Sequence, residues 1–217
     1  MEKAEPIGKF VTFEGIEGVG KTTQLRLAAE WLKSRGASVL ATAEPGGTPL
    51  GQKIREILLN RNAWAINAEA ELLLFAAARA QHVRETIMPA LEEGRWVLCD
   101  RFSDATLAYQ GFGRGIDTAF LRCLNAFSAR SLTPDLTLLF DLPVAVGLAR
   151  ARERAAGLHP EAAEDRFEQE ALVFHERIRK GYLSLAAEEP GRYRIFDAAR
   201  ECDAIQTDVR RCLETSW

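Results

Sequence analysis

The run Gly15-Ile-Glu-Gly-Val-Gly20-Lys21-Thr22 fits the pattern GxxxxGK[ST], and its residue types imply one chemistry. Glycines let a backbone curl until several N–H groups point at one phosphate, and a helix that starts there adds partial positive charge. Lys21 is placed to reach the β- and γ-phosphates of a nucleotide, and the Thr22 hydroxyl to ligate Mg²⁺. The expected ATP-binding set is Gly15, Gly18, Val19, Gly20, Lys21, Thr22 and Thr23. A chance match somewhere in a chain this long has a probability on the order of 1%. The context is right as well, with an apolar run at 10–13 before the loop and a helical pattern after it.

Four further segments carry groups suited to a second substrate: Glu44-Pro45-Gly46-Gly47-Thr48, the stretch from Leu74 to Gln81, Asp100-Arg101-Phe102, and the stretch from Thr106 to Gly111. Phe75 and Arg79 are four apart and share one helix face, so a ring and a guanidinium stand side by side. Together they can stack on a base and donate to its carbonyl, although each alone also reads as core and as surface charge. Asp100 and Arg101 follow an apolar run at what would be a strand's carboxyl end, where open α/β sheets bind ligands. Arg101 can clamp a phosphate with paired donors, and Asp100 can hold a magnesium-bound water.

These groups must be held by an alternation of short apolar runs and long amphipathic stretches. The pattern predicts strands at 10–14, 38–42, 96–99, 136–141 and 193–196. It predicts helices near 21–35, 50–60, 66–93, 117–129, 144–155, 164–188 and 201–214. Several strands are continuous apolar runs, as in sheets covered on both faces. The expectation is an α/β fold of the P-loop NTPase type, a five-stranded parallel sheet flanked by helices, in one domain spanning 1–217. A charge- and alanine-rich stretch at 150–166, broken by Gly157 and Pro160, reads as a short mobile lid or as a plain helix–helix connection.

Composition narrows the class. The 217 residues are 47% hydrophobic and 27% charged, which suits a globular chain rather than a disordered one. A net charge of −3 argues against nucleic acid as a partner. The N-terminus has no apolar run suited to a signal peptide, and no stretch approaches a membrane span. Cys99, Cys123, Cys202 and Cys212 are scattered without CxxC spacing, so reduced thiols in a cytoplasm are expected. Neither NKxD nor DxxG occurs, which removes the GTPase reading, and the length suits a small-molecule kinase.

With Phe13-Glu-Gly-Ile-Glu-Gly18, the four segments closely resemble thymidylate kinase of the bacterial form, a P-loop nucleoside monophosphate kinase. The resemblance runs from about Phe10 to Phe196-Asp197-Ala198. It implies transfer of the γ-phosphoryl group of ATP to dTMP with Mg²⁺, giving dTDP for dTTP synthesis. The alternatives are a kinase for another monophosphate such as dUMP, or a non-kinase nucleotide-binding regulator. By resemblance, Phe75 stacks on thymine, Arg79 bonds its O4, and Thr106 and Gln110 surround its edge. Tyr109 packs under C2′, Glu17 approaches the 3′-hydroxyl, Arg55 and Arg101 hold the acceptor phosphate, and Pro45 shapes the turn beside them. Metal ligation falls to Thr22 and Asp100. Lys21, Arg101 and Arg154, a lid arginine, form the catalytic set; Gly18 stands where some relatives carry a loop arginine. A homodimer is implied too, with the helices at 66–93 and 117–129 as its expected surface. One departure is Ala43, where the family commonly has arginine before Glu-Pro-Gly-Gly.

Overall fold

The computed structural model describes residues 8–60, 65–158, 167 and 170–215, without the side chains of 155–158. Five strands, β1 (Lys9–Glu14), β2 (Val39–Ala43), β3 (Trp96–Asp100), β4 (Leu136–Asp141) and β5 (Tyr193–Asp197), form one sheet in the order β2-β3-β1-β4-β5. All four pairings are parallel. β1 is central and almost wholly buried, which explains why its sequence is a continuous apolar run and not an alternating one.

Because the strands run the same way, all their carboxyl ends lie along one edge. Phe13 of β1 pairs with Asp100 of β3, and Ala43 of β2 pairs with Asp100 from the other side. Three loops that carry the expected chemistry therefore leave the sheet side by side.

The helices flank the sheet: α1 (Lys21–Ser34), α2 (Pro49–Leu59), α3 (Ala68–His82), α4 (Met88–Glu92), α5 (Ser103–Thr106), α6 (Thr118–Ser128), α7 (Val144–Leu158), α8 (Leu172–Glu188) and α9 (Cys202–Glu214). Local chemistry sets several starts. Thr48 accepts from the Gly51 N–H at 3.0 Å with Pro49 at the first helical position, Asn67 accepts from Ala70, and Asp117 accepts from Phe120. α1 differs, because its first turn follows Gly20 in a left-handed conformation and no side chain caps it.

The helix expected over 66–93 is α3 and α4 joined by a π-helical turn, Val83–Ile87. Two differences from the sequence pattern stand out. Ser103–Gly113 is helical, as α5 followed by a second π-helical segment, Leu107–Gly113. Leu107 to Gly111 are all buried, so that segment has no polar face to give a 3.6-residue signal. The helix expected at 164–188 is described from Leu172 onward, with Phe167 in a turn and Glu170 in a bend before it. Of the expected lid, residues 159–166 lie outside the described residues.

Candidate active site

The loop between β1 and α1 is built on glycine. Gly15, Gly18 and Gly20 all have positive φ, of 137°, 71° and 87°. A Cβ on Gly18 would sit 1.9 Å from the Gly147 carbonyl oxygen, so the loop is pressed against α7. Lys21 folds back across the loop and donates to the carbonyls of Gly15 at 3.1 Å and Ile16 at 2.7 Å. Burial, joined by the like charge of Arg101, lowers its pKa to about 8, against the pull of Asp100, Glu17 and Glu14. A bound phosphate would replace the two carbonyls as partner and favour the charged ammonium.

Thr22 and Asp100 meet at the start of α1, where the Thr22 hydroxyl donates to Asp100 Oδ2 at 2.6 Å. Among the described residues no cluster of three His, Cys, Asp or Glu side chains is arranged to enclose a metal. One hydroxyl and one carboxylate, both oxygen donors and both open to solvent, nevertheless fit magnesium, which keeps waters and takes its remaining ligands from phosphates.

A cavity of about 540 Å³, including its open mouth, lies beyond the loop. Glu17, Pro45, Arg55, Phe75, Arg79, Arg101, Thr106, Tyr109 and Gln110 all line it, so every expected acceptor residue is brought to one place. Glu44 and Phe102, quoted in the sequence only as parts of their segments, also stand in its walls, as do Leu59, Ala105 and Phe167, which the sequence reading missed. Phe167 packs against Phe75 and Tyr109, with ring centroids 6.1 and 5.7 Å apart. Its surroundings in sequence are charge-rich, which hid an aromatic wall.

Arg101 joins the cavity to the loop. Its η1 nitrogen donates to Gly15 O at 2.9 Å, its η2 nitrogen to Glu17 at 3.1 Å, and its guanidinium lies over the Tyr109 ring. The residue is held at φ 69°, a conformation uncommon for a side chain of this size. The turn is pinned by Glu14, buried at the end of β1, which accepts from the Phe102 N–H at 2.7 Å and the Tyr182 hydroxyl at 2.8 Å. Burial, reinforced by Asp104, pushes the Glu14 pKa up to about 8 despite Arg101 and both hydrogen bonds. Glu17 is equally buried and goes the other way. Burial opposes its charge, but His175, Arg101, Lys21 and the Tyr109 hydroxyl together outweigh it and hold its pKa at about 2. One buried carboxyl is neutral and the other ionised because the partners of Glu17 outweigh its burial, while those of Glu14 do not outweigh burial and the nearby charge of Asp104.

Arg79 is more constrained than its expected role requires. It donates to Glu44 at 2.8 Å, Asn125 at 2.6 Å, the Phe102 carbonyl at 3.0 Å and the Thr106 hydroxyl at 2.9 Å. Four of its five N–H donors are thus committed to protein, leaving one for a ligand. Glu44 also meets His82 at 3.0 Å, and Gly47 must be glycine because a Cβ would lie 2.2 Å from that imidazole. The Glu44–Pro45 peptide is cis, and Arg55 donates to the Pro45 carbonyl at 3.0 Å.

Arg154 is not in this cavity; it is exposed on α7. Arg150, one turn earlier, donates to Ala198 O at 2.9 Å. With Gly18, Gly20, Gln24 and the loop after β5, it lines a second groove on the donor side of the phosphate loop. Ala43 lines a wider groove with Thr22, Thr42, Gln52 and Asp100, so the position where an arginine was expected opens onto space beside the Thr22–Asp100 pair.

Comparison with known proteins bears on these features together. A family model described as thymidylate kinase matches residues 13–209. The chain is 59% identical to a thymidylate kinase of Syntrophus aciditrophicus over 205 residues, 94% of each protein. It is 52% identical to one of Desulfovibrio desulfuricans, again over 94% of each. Among solved structures, the thymidylate kinase of Ehrlichia chaffeensis superimposes with a TM-score of 0.76 at 32% identity, over 96% of this chain and 99% of that one.

Proposed function

Because the chain belongs to the thymidylate kinase family, we infer that it transfers the γ-phosphoryl group of ATP to dTMP, giving ADP and dTDP. It is a nucleoside monophosphate kinase with the P-loop NTPase fold. The observation that supports the acceptor assignment best is the single cavity lined by Phe75, Arg79, Thr106, Tyr109 and Gln110, with Arg101 at the end nearest the phosphate loop.

The acceptor is already a phosphate anion, so no strong general base is required, and catalysis rests on positioning and charge neutralisation. Phe75 and Phe167 offer faces to the base. Arg101 exchanges its contacts with Gly15 and Glu17 for the acceptor phosphate, and Arg55 approaches the same anion. Lys21 leaves its two carbonyls for the donor phosphates. Thr22 and Asp100 would hold the magnesium ion, which when bound would supply charge neutralisation during transfer. We assign Arg154 to the transferring group, as part of a lid spanning about 150–166 in a chain that is one catalytic domain.

Two coarser features extend the reading. Leu73 on α3 and Phe120 and Phe127 on α6 are exposed apolar side chains, Phe127 at 82%, and these two helices pack together. That face suits a second copy of the chain, and a homodimer by sedimentation, lost in Phe127→Glu, tests it. Among the described residues no helix is long and apolar enough to cross a membrane. Free cysteines suit the cytoplasm, where both nucleotides are also available.

The decisive experiment is a coupled ADP assay with dTMP, dUMP, dCMP and dGMP. The reading predicts turnover that is highest with dTMP. A correctly folded protein that binds ATP but forms no ADP with any acceptor would refute it.

A further inference from the structure

Gln110 faces the acceptor cavity, yet an amide can present either an oxygen or a nitrogen, and the two recognise opposite partners. Its orientation is decided behind the cavity wall. Gln110 Nε2 donates to Glu71 Oε1 at 2.8 Å. Glu71 is fully buried on α3, four residues before Phe75 and eight before Arg79, on the same helix face. Its carboxylate is held by Arg114, with Nε 3.3 Å from Oε1 and Nη2 3.0 Å from Oε2. Arg114 in turn bonds Glu170 at 2.6 Å and lies over the Phe174 ring at 4.5 Å.

A carboxylate paired with a guanidinium has no proton to donate, so it can only accept. The nitrogen of Gln110 must therefore face Glu71, and its oxygen must face the other way. That oxygen has no hydrogen-bond partner among the described residues. The nearby wall carries the opposite polarity, since Arg79 there has one donor left. An acceptor beside a donor matches the edge of thymine, with its N3–H and O4 carbonyl. Cytosine reverses both groups, setting a bare N3 against an oxygen and an amino group against a guanidinium.

We propose that Glu71, held by Arg114, is a positioning residue that locks the Gln110 amide with its carbonyl toward the acceptor cavity and thereby sets the preference for thymine over cytosine. Glu71 touches no substrate; it acts through Gln110. The proposal rests on the assignment of dTMP as acceptor. A like-for-like hydrogen-bonding partner at Glu71 removes the lock, because a glutamine there can donate or accept and lets Gln110 turn over.

The test measures kcat/KM for dTMP, dUMP and dCMP in the parent enzyme, Glu71→Gln, Gln110→Ala and the double variant, with thermal unfolding as a check on folding. Glu71→Asp is the second probe; it keeps the charge for Arg114 but withdraws the carboxylate from Gln110 by one methylene. In Glu71→Gln the dTMP:dCMP ratio should fall by at least about tenfold, because an unpaired buried polar group is what excludes the wrong base. The dTMP:dUMP ratio should stay within about twofold, since uracil presents the same edge. In the Gln110→Ala background, Glu71→Gln should change the dTMP:dCMP ratio no further. Equal losses for all acceptors in Glu71→Gln and Glu71→Asp would mean a purely structural role and overturn the proposal. A ratio shift that persists without the Gln110 amide would overturn it as well. Failure of the folded parent to use dTMP at all is a different result, and it would refute the kinase assignment.

Discussion

Replacing Arg79 with alanine should damage the fold before it reports on substrate. Its side chain is 2% exposed and donates to four protein groups, of which Glu44 is charged and itself buried. In Arg79→Ala the Glu44 carboxylate loses its guanidinium partner and keeps the His82 contact at 3.0 Å, and the Phe102 carbonyl and Asn125 oxygen each lose a donor. Removing one partner of a buried ion pair costs about 3–5 kcal/mol, against a total stability of about 5–15 kcal/mol for a typical protein. For a chain of this size that is a fall in Tm of about 6–20 °C. Thermal unfolding without ligands measures it directly. The double variant Glu44→Gln/Arg79→Ala should recover part of the loss, because it removes the stranded charge. A Tm within about 2 °C of the parent for Arg79→Ala would refute the reasoning. It would mean that the guanidinium is held for the substrate alone and that its four contacts are incidental.

Three other outcomes follow from the site. Lys21→Ala should lower kcat by at least about 10²–10³-fold with little change in Tm, since the ammonium bonds only loop carbonyls that water can serve; near-normal turnover in a folded variant would remove Lys21 from the mechanism. Phe75→Ala should weaken dTMP binding by about 1–3 kcal/mol and leave ATP binding nearly unchanged, and equal losses for both nucleotides in calorimetry would mean that the ring does not stack on the base. Glu14 has a folded pKa near 8, above its usual 4.5, so its contribution to stability is complete below pH 4.5 and is lost as pH rises toward 8. Relative to Glu14→Gln, the parent should lose up to about 1.4 kcal/mol per pH unit across that window, and parallel Tm curves for the two proteins between pH 5 and 8 would contradict it.

The phosphate loop and the five strands were legible in the chain itself, whereas most of the expected acceptor set came from family resemblance and the structure shows only that it lines one cavity. The loop and the strands were legible because each depends on short-range order. Gly15 to Thr22 is a contiguous motif whose backbone does the binding, and the buried parallel strands β1, β3 and β4 announce themselves as apolar runs. Phe75 and Arg79 share a face by helical spacing alone. The segment from Ser103 to Gly113 escaped because burial on every side erases the periodicity that marks a helix. Arg150 and Arg154 share one helix face by spacing and the resemblance singles out Arg154, but only the return of the chain after β5 gives Arg150 its bond to Ala198.

What the tertiary structure alone decided is the state of each functional group. Glu14 and Glu17 are both glutamates at the end of β1, yet one is neutral and the other ionised. The difference is how far long-range partners offset burial: at Glu14 burial and the charge of Asp104 prevail over Arg101 and Tyr182, whereas at Glu17 His175, Arg101, Lys21 and Tyr109 prevail over burial. Arg79 has its donors spent on Glu44, Asn125, Phe102 and Thr106, and the Gln110 amide is turned by Glu71, 39 positions distant. Side-chain type and spacing say which atoms can do chemistry. Burial and long-range partners, which periodicity does not encode, decide their charge, direction and free valence, because in a low-dielectric interior the nearest few polar atoms outweigh everything local in sequence.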